Sequence, residues 1–184
     1  VVTGGCWELV ISQVLEPLDG HANLGALHLM PTSGTRYYRW SCGRWRCVFA
    51  HELDVDQRHR AMRSLERRAR ELGLWRDRVW GERIEDRGSQ ITFSALGQGA
   101  PLPAKLAFDP DGALRGRLAK AVAADLPDLR VSVGGYTSID VAGQGIDKGF
   151  ALHELSRLTR IDVSEMAFVG DRMTPEGNDY PAAQ

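Results

Sequence analysis

The chain has 184 residues, 43% hydrophobic and 26% charged, with a formal net charge of −1. That length allows one to two small domains, and the composition is ordinary for a folded soluble chain rather than a disordered one. A charge near zero projects no strong field toward nucleic acid or a membrane surface, and no apolar run approaches the ~20 residues that span a bilayer. In chain order, Val1-Val2-Thr3 reads as the end of a buried strand, closed by the Gly4-Gly5 turn. Cys6 to Leu15 follows as a helix with Trp7, Val10, Ile11, Val14 and Leu15 apolar, ended by Pro17 and Asp19-Gly20. Leu27 to Met30, Thr35 to Trp40 and Arg44 to Phe49 are short β-prone runs separated by Pro31-Thr32-Ser33-Gly34 and Ser41-Cys42-Gly43, the pattern of a strand and a hairpin.

From about residue 51 the period changes to helical, with Val55, Met62, Leu65, Ala69 and Leu72 in one apolar stripe. The other faces carry Arg58, Arg60, Arg63, Arg67, Arg68 and Arg70. Glu66 and Glu71 interleave with them and no aromatic stacking platform accompanies them, so a solvated helix face is favoured over a nucleic-acid surface. Strands are expected at Arg83 to Arg87 and Gln90 to Ala95, a helix over 113–126 with Leu114, Leu118, Ala121, Val122 and Leu126 inward, and strands at Leu129 to Val133 and Thr137 to Val141. This α-β-β-α-β-β order predicts two helices on one face of a four-stranded antiparallel sheet. Gly143-Gln144-Gly145 marks a hinge back to the first domain. The three cysteines, Cys6, Cys42 and Cys47, have no metal-ligand spacing, which suits a reducing cytoplasm and a reading as small core residues or incidental thiols.

The chemistry concentrates near the end. Met166-Ala167-Phe168-Val169 is a short apolar run that stops at Gly170-Asp171, the pattern of a buried parallel strand presenting a carboxylate at its C-terminal edge, where open α/β sheets bind ligands. A Pro- and Gly-rich loop, Arg172 to Gly177, then leads to Asn178-Asp179-Tyr180. Folding back, it would gather Asp171, Asn178 and Asp179 as hard oxygen ligands of the kind Mg²⁺ prefers. Lys148, in Asp147-Lys148-Gly149, would lower the cost of collecting carboxylates and a phosphate in one pocket. On residue type alone, a polar surface loop and a solvated lysine in a first helical turn are the competing readings.

The string from Gly170 to Tyr180 resembles the fourth motif of subclass IIB of the haloacid dehalogenase superfamily, in particular its eukaryotic-type phosphomannomutases. Gly145-Ile146-Asp147-Lys148-Gly149 is similar to the third motif and Val1-Val2-Thr3-Gly4-Gly5 to the second. The resemblance implies an α/β fold, with an incomplete haloacid dehalogenase-like Rossmannoid core at 1–50 and 145–184 and an inserted α+β cap at 51–144. It implies that Thr3 and Lys148 bind the transferring phosphoryl group, with the Gly4 backbone close to it, that Asp171 ligates Mg²⁺, and that Asn178 and Asp179 support the metal. In the cap, Glu85-Asp86-Arg87-Gly88 and Gly134 to Asp140 are similar to substrate-binding strings of the family, which marks Arg87, Ser138 and Asp140 as contacts to phosphate or sugar hydroxyls. Ordinary polarity on the open face of the sheet is the alternative there.

Two departures matter. The nucleophilic Asp-x-Asp of the first motif is missing, since Asp54-Val55-Asp56 lies in the wrong order and opens a helix. The chain is therefore expected to be an internal piece of a longer enzyme whose nucleophile lies upstream, and to be inactive alone. Where phosphomannomutases carry a second arginine, the chain has Gln98, which cannot pair with a distal phosphate as a guanidinium does. The expectation is thus a cytoplasmic, Mg²⁺-dependent phosphatase acting on a small phosphoester such as a sugar phosphate, with no nucleic-acid or membrane partner. A phosphohexomutase is the first alternative, and an inactive fragment or binding module the second.

Overall fold

A computed structural model describes residues 1–18, 20–175 and 177–184. Asp19, expected in the turn after the first helix, and Glu176, in the carboxylate loop, lie outside the described residues. The chain divides into one unit of Val1–His51 with Gly145–Gln184 and a second of Glu52–Gln144.

In the second unit the sequence period translates directly into packing. Asp54 caps helix α2 (Val55–Glu71): its side chain accepts from the Gln57 N–H at 2.8 Å, while the Gln57 side chain accepts from the Asp54 N–H at 3.0 Å. This reciprocal box satisfies two donors that a bare helix start would leave open. Ala61, Leu65 and Ala69 are fully buried, with Met62 and Leu72 packed against the same cluster. Val55, expected in the stripe, is instead 58% exposed, because as the first helical residue it falls outside the buried face.

The stripe lies with α4 (Ala113–Asp125) on an antiparallel sheet of β4 (Ile84–Asp86), β5 (Gln90–Ser94), β6 (Leu129–Val133) and β7 (Ser138–Gly143), in the order β4-β5-β7-β6. Alternation sends Ile91, Phe93, Ile139 and Val141 into the helix-covered core and turns Thr92, Ser138 and Asp140 the other way. A further helix, α3 (Leu102–Phe108), escaped the sequence reading. None of its residues is buried, and Leu102 and Leu106 are 58% and 47% exposed, so it has no apolar stripe to read.

Five of the six arginines of α2 are engaged within the unit, and Arg63 is exposed. Arg67 and Arg68 both bond Asp125, Arg60 bonds Asp128, Arg58 pairs with Asp86, and Arg70 with Glu66. The expected solvated, charge-balanced face is what the structure shows.

In the first unit, β1 (His28–Leu29), β2 (Arg36–Ser41) and β3 (Arg44–Ala50) form an antiparallel sheet. Cys42 and Gly43 join β2 to β3 with φ of 51° and 72°, the two positive values that let a two-residue turn match strand twist. Helix α1 (Trp7–Val10) runs on as a π-helical segment at Ile11–Leu15 and a 3₁₀ turn at Glu16–Leu18. Helix α5 (Lys148–Thr159) is capped by the Asp147 side chain, which accepts from the Phe150 N–H at 2.9 Å. Met30, Tyr37 and Ala151 form the buried centre here, with Val2, Phe49, Leu155 and Leu158 against it.

Two expected strands are corrected. Val1–Thr3 contributes only a parallel bridge between Val2 and Met30. Met166–Val169 forms no strand, and Val169 is 94% exposed. A parallel strand exists only by pairing with neighbours, and none of the described residues pairs with this run. The core reading of the cysteines also fails for Cys42 and Cys47, which are exposed, while Cys6 is half-buried.

Candidate active site

Four of the residues singled out in the sequence fall near one another in the first unit. Lys148 is the first residue of α5, and its ammonium donates to Asp179 Oδ1. The two side chains are 11% and 3% exposed, so this is a largely dehydrated ion pair rather than a surface contact. The other oxygen, Asp179 Oδ2, accepts from the Arg172 N–H at 3.0 Å, closing the carboxylate loop upon itself. Burial by itself would raise the Asp179 carboxyl. The bonds from Lys148 and the Arg172 N–H, with contact to Asp171, outweigh it and hold the group below its usual range.

Glycines make that closure possible. A Cβ on Gly170 would lie 2.7 Å from Asp179 Cγ, and one on Gly177 would lie 2.0 Å from the Arg172 carbonyl oxygen. Asp171 stands exposed beside the buried Asp179, and Asn178 is half-buried between Gly177 and Asp179 in sequence. Lys148 is thus not the freely solvated residue of the competing reading, although it does occupy a first helical turn.

Thr3 keeps to its own turn. Its Oγ1 accepts from the Gly5 N–H at 3.1 Å, and its backbone carbonyl accepts from the Ser33 N–H at 2.8 Å. The turn that receives it was legible only as a loop, yet Thr32 and Ser33 hold φ of 49° and 57°, values rare for residues with a Cβ. Thr32 and Thr35 are buried and bond each other through their hydroxyls. Gly34, at φ 90°, lies so close to α5 that a Cβ would come 2.4 Å from that of Ala151. The Thr3 turn and the start of α5 are therefore joined through this strained loop, a feature that composition alone did not reveal.

Mg²⁺ takes oxygen ligands and is often held by one or two carboxylates with water and substrate phosphate completing the shell. The donors here fit that chemistry in kind: Asp171 has an exposed carboxylate, Asn178 a neutral oxygen, and Asp179 a carboxylate already tied to Lys148. Among the described residues no three His, Cys, Asp or Glu side chains cluster as a self-sufficient cage. The set suits a metal whose remaining ligands come from elsewhere.

In the second unit, Thr92 lies directly between Glu85 and Asp140 across the sheet, and Ser94 is opposite Ser138. The Thr92 hydroxyl donates to Asp140 Oδ1 at 2.7 Å, and Gln90 Nε2 donates to Thr92 Oγ1 at 2.9 Å. Burial pushes the Asp140 carboxyl up despite the bonds from Thr92 and Gln90. Gly134 packs onto this patch, where a Cβ would sit 2.7 Å from Ser138 Oγ and 2.9 Å from Asp140 Oδ2. Ser138 Oγ accepts from the Gly135 N–H at 3.0 Å. Arg87 is drawn into a 2.6 Å pair with Glu85, with only 9% of its side chain exposed.

Gln98 lies after β5 and in none of these strands. Its Nε2 is buried without a hydrogen-bond partner, and its backbone carbonyl accepts from Lys105 Nζ at 3.1 Å. Sequence reasoning missed Asp109 and Arg115, a buried pair at 2.8 Å whose guanidinium also donates to the Gly135 carbonyl and so anchors the turn before Ser138. Their signal was weak, because one lies in a loop and the other is outside the apolar set that marked the inward face of its helix.

The family described as eukaryotic phosphomannomutase matches residues 74–183. A phosphomannomutase of Saccharomyces cerevisiae is 30% identical over 105 residues, covering 54% of this chain and 40% of the yeast protein. Among solved structures, an N-terminally truncated, IMP-bound Plasmodium falciparum IMP-nucleotidase superposes with a TM-score of 0.64 at 15% identity, over 98% of this chain and 51% of that one. A haloacid dehalogenase-like hydrolase from Bacteroides thetaiotaomicron gives 0.57 at 13% identity, over 92% and 67%. At such identities the superpositions speak for the fold, an α/β haloacid dehalogenase-like architecture. The chain spans about two-fifths of the length of its curated relative.

Proposed function

This chain belongs to the eukaryotic phosphomannomutase family of the haloacid dehalogenase superfamily, and on that premise we propose that it serves a Mg²⁺-dependent phosphatase acting on a small phosphoester, a sugar phosphate. The observation that carries this reading is the buried Lys148–Asp179 pair with the exposed Asp171 carboxylate beside it. The Lys148 ammonium and the Asp171 side chain both meet the Asp179 carboxyl, a grouping that this chemistry would use.

In this reading Lys148 and the Thr3 hydroxyl, with the Gly4 backbone, hold the phosphoryl group, and Asp179 keeps the ammonium aimed. Asp171 would ligate Mg²⁺, supported by Asn178 and Asp179. The ion would neutralise charge on the transferring phosphoryl oxygens. Attack is assigned to an aspartate outside the 184 residues: its carboxylate oxygen bonds to phosphorus as the bond to the leaving alkoxide breaks, and water then cleaves the aspartyl-phosphate to regenerate the carboxylate. Residues 51–144 would act as the cap, with Arg87, Ser138 and Asp140 contacting the leaving group.

Hydrolysis is preferred over mutase chemistry because neutral Gln98 stands where the family resemblance expects the second arginine, so a distal phosphate lacks its bidentate partner. One observation favours the mutase reading: the Lys105 ammonium lies against the Gln98 carbonyl and carries a positive charge to that neighbourhood.

The test is to incubate the complete gene product with Mg²⁺ and a panel of sugar monophosphates, with and without glucose 1,6-bisphosphate, following phosphate release and isomer formation together. Release of phosphate without the bisphosphate is the expected result. Isomerisation that requires the bisphosphate would establish the mutase, and no turnover of either kind would leave a binding module.

A further inference from the structure

Away from the carboxylate loop, the first unit carries an aromatic corner that the proposed chemistry does not use. Trp40 on β2 and Trp45 on β3 are directly opposite in the hairpin register, with ring centroids 5.5 Å apart and planes at 66°. Strand alternation puts Tyr38 on the same face, and Trp7 of α1 stacks on it at 3.9 Å while meeting Trp45 edge-on at 6.1 Å. The hairpin's Arg39, Arg44 and Arg46 alternate to the opposite face, while Arg36 lies on the aromatic face bonded to Tyr38 and does not line the cavity at Trp40 and Trp45. Two indoles inclined at 66° and backed by a stacked pair form an aromatic corner.

The chain after α1 completes the site. The π-helical turn Ile11–Leu15 gives way to the 3₁₀ turn Glu16–Leu18, and Leu15, Glu16 and Leu24 join Trp40 and Trp45 around a cavity of about 370 Å³. Such a volume falls within the range of small-ligand sites. π-helical turns are rare and concentrate at functional places, and this one delivers a carboxylate to the mouth of an aromatic corner. Among the described residues no lysine or arginine lines the cavity, which makes it unsuited to a phosphate. Indole faces attract cations, and the attraction is strongest for ions that shed water easily, as methylated ammonium groups do.

We propose that this corner binds a small organic cation bearing a quaternary or methylated ammonium, held on the faces of Trp40 and Trp45 and balanced by Glu16. The site is independent of the phosphoryl chemistry and stands or falls without it.

The experiment titrates choline and tetramethylammonium into the full chain at constant ionic strength and follows the tryptophan indole resonances by NMR. Saturable shifts confined to Trp40 and Trp45 are expected, with a dissociation constant that is roughly millimolar. The uncharged isostere of choline, 3,3-dimethylbutanol, should bind about tenfold more weakly, since the cation–π attraction is lost. Trp45→Leu should abolish binding, and Glu16→Gln, an exchange at an exposed side chain that spares the fold, should weaken it several-fold. Absence of saturable shifts, equal binding of the neutral isostere, or unchanged binding to Glu16→Gln would each overturn the proposal, whether or not Trp45→Leu folds.

Discussion

At Asp140 a carboxyl is packed on the polar face of β7 under Gly134, and burial raises its pKa. A folded-state pKa above the unfolded value means that the native chain binds the proton more tightly. Stability is then greatest below the ordinary carboxylate range and declines as pH rises through the raised value. Asp140→Asn is therefore expected to raise the urea midpoint at neutral pH, with the advantage shrinking as pH falls through the raised value toward the ordinary one. The same substitution should lower turnover if the carboxylate contacts substrate. Gln98 offers the complementary test: its Nε2 is buried without a hydrogen-bond partner, and a guanidinium there would restore the charge that the family resemblance expects. Gln98→Arg should increase bisphosphate-supported isomerisation about tenfold or more, the worth of one charge-assisted hydrogen bond, as coupled assays of isomer formation would measure.

At the level of elements, the start of α4 is tied to the turn before β7 by Asp109 and Arg115. The carboxylate accepts from the Leu114 and Arg115 N–H groups at 3.1 and 3.0 Å as well as from the guanidinium. Asp109→Ala would leave a buried guanidinium unpaired and should cost about 3–5 kcal/mol in chemical denaturation. Helix α2 is joined to α4 differently, through Asp125. The bond from Arg68, with those from Ser64 and Arg67, holds its carboxyl well below the usual carboxylate range against the effect of burial. A depressed folded pKa contributes stability above the unfolded value and loses it as pH falls through the folded one. Acid titration of the melting temperature should thus be steeper for the natural chain than for Asp125→Asn, which starts lower at neutral pH. The same pairing explains why an arginine-rich helix presents a balanced face.

Over the whole molecule, burial is uneven. The second unit has a continuous centre running from Leu53 through Leu65, Phe93, Leu118, Ile139 and Val141, whereas the first gathers around Met30, Tyr37 and Ala151. Amide hydrogen exchange should therefore protect β5 and β7 more strongly than β2 and α5, since local opening is easier where fewer apolar contacts hold the backbone. Equal protection of both units would contradict this. A polypeptide of residues 52–144 should keep its cooperative melt, because its sheet, helices and Asp109–Arg115 anchor lie within that segment.

Periodicity and turn chemistry determined much of this by themselves: the stripe of α2 and its Asp54 cap, the β2–β3 hairpin around Cys42-Gly43, and the α-β-β-α-β-β order are all local patterns. The motifs around Lys148 and Asp171 to Asp179 were legible as residue types at a spacing. Only the tertiary structure decided that Lys148 is bound to Asp179 and that Arg115 reaches Gly135, because each contact joins residues whose separation in sequence carries no period. It also decided against a strand at Met166–Val169. An apolar run states a preference for burial, but a strand forms only where another backbone supplies its hydrogen bonds.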